Sequence, residues 1–316
     1  MDMRGASPKS LISVRTNGAL ALLVAAVGLL QGWVLPAFLL PLSGYWAWVL
    51  LPAVALTNPA WAVLHETFHG TLHPHPRFNR AIGRVLAVSH GAPYHGLQFG
   101  HLTHHRHNRS ILDRTEVYDP ARQSRWVFAA GYYLALLGGL YWSEVAAGMT
   151  MLLPQPLIGR LVRWKLAGDD PVVAAVRRRA LAALLGPSLA ALRVDAAAIL
   201  AFHGISFWLY GTQAWLLLLA LSGRGLLISV TDNSYHYGTA VNDSAYAKNL
   251  RLGPAGSAFL LHFNLHHVHH RFPYLPWRAL PRADGGRIEF AEAYWPAIGR
   301  QLRGPIPVTR LEGPAG

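Results

Sequence analysis

Residues Gly18 to Leu40 are almost wholly apolar, and after only Pro41 to Gly44 a second apolar run extends from Tyr45 to Leu64. Each is close to the ~20 residues a bilayer crossing needs, and in lipid a helix satisfies every backbone polar group internally. Only Thr57, Asn58 and Pro59 break the second run. The short link between the runs predicts a tight helical hairpin. A second hairpin is expected over Ala196 to Val230, with spans at about 196–210 and 212–230 and a turn near Tyr210 to Thr212. Composition agrees: 52% of residues are hydrophobic and 14% charged, against ~25% charged in soluble domains. Eleven tryptophans and twelve tyrosines suit a headgroup region. No repeat divides the chain, so residues 1–316 read as one membrane-embedded domain.

The amino-terminal tail carries Arg4, Lys9 and Arg15, whereas the first hairpin turn carries no base. Basic loops stay cytoplasmic, which puts the tail and the end of the second span on that side. The apolar start is too long for a cleavable signal and lacks a small-residue cleavage site. Residues 126–153 are apolar but ambiguous. A single crossing would export the loop holding Arg160, Arg163, Lys165, Arg177, Arg178, Arg179 and Arg193, so this stretch is expected to lie in the interface or to re-enter, with Gly138-Gly139 as the break. With four spans, all 28 lysines and arginines except Arg224 fall on the cytoplasmic face. An arginine inside an apolar helix is a functional candidate, or a snorkelling structural residue. The net charge of +13 fits a positive-inside membrane protein. Nothing resembles a nucleic-acid recognition element, and no nucleic-acid partner is expected.

There are seventeen histidines and no cysteine. Disulfides, thiolate sites and iron–sulfur clusters within the chain are therefore excluded, while neutral imidazole is a common ligand for iron, copper and zinc. Nine histidines form four groups. His65 and His69 lie four apart in HETFHG. His101, His104 and His105 stand in HLTHHRHN, and His266, His269 and His270 in HHVHH. Three- and four-residue spacing selects one helix face in each. His236 follows the last span in TDNSYHYG, four residues after Asp232. That carboxylate is expected to bind a metal directly, through water, or by orienting His236. Imidazole ligands usually donate their other N–H to an acceptor; Asp119 is the leading candidate, then Glu66, with Asp113 and Glu116 also in reach by sequence. His90 and His95 fall in a glycine-rich apolar segment that could line the site.

The order and spacing of HETFH, HLTHH and NLHHVHHRFPYLP resemble the histidine boxes of the integral-membrane fatty acid desaturase and hydroxylase superfamily, over roughly Gly18 to Pro281. Asp119-Pro120 also looks like family usage. The resemblance implies an all-α membrane fold: two transmembrane hairpins under a cytoplasmic helical cap that holds two iron ions. The implied ligands are His65, His69, His101, His104, His105, His236, His266, His269 and His270. Asp232 departs from the asparagine that acyl-CoA desaturases place one turn before the extra histidine. Nearly neutral ligands leave the charge of two ferrous ions little compensated. With dioxygen as co-substrate, such a site attacks an unactivated methylene.

Removal of a second hydrogen gives an alkene, and oxygen rebound gives an alcohol. The third box favours desaturation of a fatty acyl chain. Hydroxylation or ketolation of a lipid, alkane or carotenoid is the alternative, because His236-Tyr237-Gly238 echoes alkane hydroxylases. A histidine-rich metal transporter is a distant alternative, since transport sites sit near the bilayer midplane rather than at span ends. The chain has no reductase, haem or ferredoxin motif. The family implies an external electron donor, a ferredoxin or a small b-type cytochrome.

Overall fold

The computed structural model describes residues 7–241, 246–286 and 288–311; Arg4 lies outside them. The described chain is mostly helical, with two two-stranded parallel pairs. Helix α1 spans Val14–Leu39. From Leu30 its turns widen to π-type bonding around Pro36, which has no N–H to donate. Helices α2 (Leu50–Ala55) and α3 (Thr57–His69) form one path bent by 46°. The bend falls at Leu56, just before the polar interruption. Asn58 there donates to Thr231 Oγ1 at 2.9 Å, so the break in the apolar run ties α3 to a distant helix. Gly70, in the left-handed region at φ 73°, ends α3.

Helices α4 (Pro76–His90) and α5 (Tyr94–His107) follow. The close approach of α4 to α3 requires Gly83. A Cβ there would lie 2.3 Å from the Tyr94 ring and 2.7 Å from Thr67 Oγ1. Strand β1 (Val117–Tyr118) precedes α6 (Arg125–Leu134) and α7 (Leu140–Met149). Between these two helices the backbone leaves helical geometry at Leu137 and Gly138, the latter at φ 123°. Helices α8 (Gln155–Lys165) and α9 (Pro171–Leu185) carry most of the arginines between residues 160 and 179.

The next helical run, Leu189–His236, is long and apolar. It consists of α10 (Leu189–Tyr210) and α11 (Ala214–His236), interrupted at Gly211 (φ 50°, ψ −122°). Among the described residues, two runs are long and apolar enough to cross a membrane, or three if α2–α3 is counted with residues 44–49 as one span. Helices α10 and α11 continue past the expected spans, because the polar residues at the end of α11 remain helical and buried. Leu35, Leu40, Leu50, Tyr210 and Leu217 share one cluster, which packs the residues flanking both turns together. Ala21 packs with Ala62, Val63 and Leu64 in another cluster, nearer the histidine boxes. Leu22, Phe38, Trp48, Leu51, Trp208 and Leu219 point outward and are exposed.

Beyond α11, β2 (Asn249–Arg251) pairs with β3 (Ala291–Ala293), and α12 (Pro254–Phe259) leads to α13 (His266–Arg271). Helix α14 (Tyr294–Arg300) and β4 (Ile306–Pro307) complete the chain, with β4 alongside β1. Asn17 of α1 donates to Leu72 O at 2.8 Å and accepts from the Trp277 indole at 3.0 Å. One buried amide thus joins the first helix to the segments after the first and third boxes.

Candidate metal centre

Helical geometry explains how the boxes divide. Turns of 3.6 residues place positions i+3 and i+4 about 100° apart around the axis, on either side of position i. His65 and His69 stay together, as do His101 and His105, and His266 and His270. The histidines at i+3, His104 and His269, turn to a different group. The nine imidazoles therefore gather as two sets: His65, His69, His101, His105 and His269, and His104, His236, His266 and His270. Within each set the ligand atoms lie within 4.8 Å of one another. The sets adjoin. The His105 and His270 rings stack with centroids 4.3 Å apart, and those of His266 and His269 lie 5.7 Å apart. One face per box was expected; instead α5 and α13 each serve both sets.

The arrangement suits cations. His69 Nε2 lies 2.7 Å from His101 Nε2, His269 Nε2 3.0 Å from His105 Nε2, and His104 Nε2 3.2 Å from His270 Nε2. Neither ring nitrogen of His65, His236 or His266 has a hydrogen-bond partner, although all three rings are buried. A buried polar ring without partners is costly. Converging lone pairs repel unless a cation sits among them. Burial, then the neighbouring imidazoles, holds His101, His266 and His269 well below the ordinary histidine pKa, and His105 is pushed down to about 2 for the same reasons. These rings are neutral at physiological pH, the form that binds metal. Four or five neutral nitrogens per set fit iron, which accepts imidazole readily.

His104 differs. Burial lowers its pKa, but the adjacent Asp113 carboxylate and its hydrogen bond outweigh this, leaving it raised. The contact runs from Nδ1 to Asp113 Oδ2 at 2.5 Å. A carboxylate only accepts, so Nδ1 carries the hydrogen and Nε2 turns its lone pair into the second set.

The carboxylates expected to assist sit elsewhere. Asp119 does not reach an imidazole: it accepts from Ala121 N in a turn and pairs with Arg122 at 3.2 Å. The turn after Tyr118 directs it away, and Asp113 takes that place. Glu66 is buried, and its Oε2 accepts from Trp277 N at 3.2 Å, so it fastens the segment after the third box rather than a ring. Asp232 joins neither histidine set. It lines a small cavity with Asn58, Thr231 and Tyr235. Glu116 forms a buried double hydrogen bond with Arg109, whose Nη2 also reaches Thr239 O. This pair, which sequence reasoning did not single out, couples the end of α5 to the turn after His236. The signal was two charges seven residues apart, too common a pattern to stand out. His267 packs on Phe290, and His262 Nδ1 meets Ser257 Oγ at 2.9 Å. His90 packs tilted against Trp61 and lines an apolar cavity, whereas His95 is partly buried and absent from that lining.

That cavity, of about 270 Å³, lies between α1, α3 and α4. Its lining includes Leu20, Val24, Leu64, Leu86 and Leu261. Leu64, which lines it, immediately precedes His65 in α3.

The fatty acid desaturase family profile matches residues 43–300. Over 78 residues, 23% of this chain, the sequence is 32% identical to the chloroplastic omega-3 fatty acid desaturases of Sesamum indicum and Brassica napus. It is 31% identical over the same length to the chloroplastic sn-2 acyl-lipid omega-3 desaturase (ferredoxin) of Arabidopsis thaliana. These stretches cover 17%, 19% and 17% of the respective relatives, so under a fifth of each is matched. No solved structure matches the chain.

Proposed function

Because the chain belongs to the fatty acid desaturase family, we propose that it is a multi-pass membrane oxidoreductase that uses two iron ions and dioxygen to desaturate a fatty acyl chain. The observation that carries this reading is the convergence of nine histidines from four helices, α3, α5, α11 and α13, into two adjoining sets. His65, His69, His101, His105 and His269 would hold one iron, and His104, His236, His266 and His270 the other. Asp232 acts through water or by orienting a ligand. When bound, the metal pair supplies an oxidant, formed with dioxygen and delivered electrons, that is able to take hydrogen from an unactivated methylene.

The protein's own contribution is placement. The Asp113 carboxylate fixes the His104 ring, and ligand-supporting partners of this kind govern metal affinity. The apolar walls align the acyl chain and keep water from the reacting carbon. We read α1 with α2–α3 as one hairpin and α10 with α11 as the other, in a single domain. Residues 126–153, broken at Gly138, re-enter or lie in the interface. Helices α4, α5 and α13 then form the cap. The charge bias puts this cap and the metal centre on the cytoplasmic side. Electrons come from a ferredoxin or a small b-type cytochrome; one relative's name includes ferredoxin.

Lipid profiling of a host expressing the protein or its His269→Ala variant, with adequate iron and donor, tests the reading. A new double bond made only by the wild type supports it. A new hydroxyl or ketone moves the assignment to a hydroxylase or ketolase, the reading that His236-Tyr237-Gly238 favours. An unchanged lipid pool refutes all three.

A further inference from the structure

Successive carbonyls near the end of the chain accept hydrogen bonds from three tyrosines and an arginine. The Tyr132 hydroxyl donates to Gln301 O at 2.7 Å and that of Tyr133 to Leu302 O at 3.0 Å. Arg125 Nη2 donates to Arg303 O at 3.2 Å, and the Tyr237 hydroxyl to Gly304 O at 2.7 Å. Ile306 N then donates to Glu116 O at 2.8 Å, where β4 lies beside β1. These bonds fix the segment from Gln301 to Ile306 against α6 and the turn after α11. The segment walls a pocket of about 280 Å³, lined also by Tyr118, Tyr237, Arg125 and Arg310. The lining holds three guanidiniums, those of Arg125, Arg303 and Arg310, and no carboxylate. Among the described residues the ion pairs engage Arg84, His104, Arg109, Arg122, Lys248 and Arg300, and none engages these three. The carboxylates flanking β1 are taken: Glu116 by Arg109 and Asp119 by Arg122. Arg125 uses one of its five N–H donors on Arg303 O, and the Arg303 and Arg310 side chains make no hydrogen bond among the described residues. Three like charges beside one concavity repel, weakly because all three are exposed, and an anion among them reverses the sign.

We propose that this pocket binds a terminal phosphate group, with Arg125, Arg303 and Arg310 as its donors. A phosphate monoester offers three strong acceptor oxygens and about two negative charges, which matches several guanidiniums, whereas one guanidinium satisfies a carboxylate. Tyrosine and proline walls make the site concave, which suits a small group better than a flat protein face. A phospholipid headgroup is one source. Arg125 opens α6, and the next residue, Trp126, is 82% exposed, as suits a side chain at headgroup level. A soluble phosphorylated carrier is the other. Bound phosphate would bridge α6 and the carboxy-terminal segment, and so brace Tyr237, the residue after His236. The site does not depend on the chemistry of the metal centre.

Isothermal titration calorimetry of the iron-loaded protein in neutral, phosphate-free detergent tests the site. The titrants, at equal ionic strength, are inorganic phosphate, acetyl-coenzyme A, and mixed micelles of dioleoyl phosphatidic acid or of dioleoylglycerol, its phosphate-free counterpart. At least one phosphorylated titrant should bind saturably. Acetyl-coenzyme A without phosphatidic acid identifies a soluble carrier, and the reverse identifies a headgroup. Binding of both, or of inorganic phosphate alone, shows a site that reads the phosphate itself. Arg303→Gln and Arg310→Gln should each weaken that binding roughly tenfold. Arg303→Lys should retain part of it. Arg282→Gln, an exposed arginine outside the pocket, should leave it unchanged. The Arg303 and Arg310 side chains are exposed and carry no other bond, so their loss leaves the backbone clamp in place; Arg303→Lys, which keeps the charge, decides if either glutamine variant fails to fold. Silence from every phosphorylated titrant overturns the proposal. So does dioleoylglycerol binding as tightly as phosphatidic acid while the soluble titrants stay silent. Equal loss in Arg282→Gln, or no loss in the Arg303 and Arg310 variants, also overturns it, because diffuse surface charge would then account for the binding.

Discussion

Asp113 Oδ2 lies 2.5 Å from His104 Nδ1, while the other nitrogen of the same ring lies 3.2 Å from His270 Nε2. One imidazole thus joins a carboxylate outside the centre to a ligand set inside it. Asp113→Asn should lower iron affinity by about 10- to 100-fold, the usual cost of losing a ligand's orienting partner. Asp119→Asn should leave affinity unchanged. Iron retention against a graded chelator measures both, and equal effects would refute the assignment.

The two histidine sets should empty separately. His65→Gln and His236→Gln each remove a ring with no other partner from a different set. Each variant should retain about half the wild-type iron and lose activity, because ligation at the other set persists. Metal analysis of detergent-purified protein checks this. Full iron content in either variant argues against two sites.

Acid should weaken the metal-free protein. Burial, reinforced by neighbouring charges, pushes His105 down to about 2 and His90 to about 3. A histidine whose pKa falls on folding binds protons more readily when unfolded. Its contribution to stability is complete above about pH 6.5 and is lost as pH drops toward the folded value. His104 is raised and acts in the opposite sense, but it is outnumbered. The thermal midpoint of chelator-treated protein should fall between about pH 7 and about pH 5. A flat profile would count against neutral buried rings.

Gly83→Ala should destabilise the fold by about 1–3 kcal/mol, the usual cost of overpacking. The intruding carbon would strike the Tyr94 ring, whose hydroxyl donates to Thr67 O at 2.9 Å and so resists displacement. Thermal denaturation in detergent measures the loss. An unchanged midpoint would show that α3 and α4 can separate freely.

Salt should slow turnover when the electron donor is limiting. The arginines of α8 and α9 offer a basic surface to an acidic partner, and ionic screening weakens such steering. A rate independent of salt would remove the basic surface from donor docking.

Much of this centre was legible because imidazole is rare, and its spacing survives any loop length between boxes. The eight box histidines and His236 come together, and the place of His236 at the end of α11 followed from the apolar run before it. The division into two sets was less visible, since it depends on whether i+3 or i+4 faces a given neighbour. The supporting carboxylate was misplaced. Asp113 and Asp119 both follow the second box closely, and only the turn between them decides which one folds back. Arg109, and its pairing with Glu116, was hidden for a related reason: a buried pair and an exposed pair are written with the same letters.

Leu261 and His262 adopt left-handed backbone angles, φ 52° and 57°, immediately before the third box. Non-glycine residues hold that conformation only when their surroundings impose it. Leu261 lines the cavity, and two residues later Phe263 meets the His65 ring at 4.8 Å. A single constrained turn therefore holds both a wall residue of the apolar cavity and the aromatic ring that abuts the first histidine set, so the two are anchored by the same few bonds.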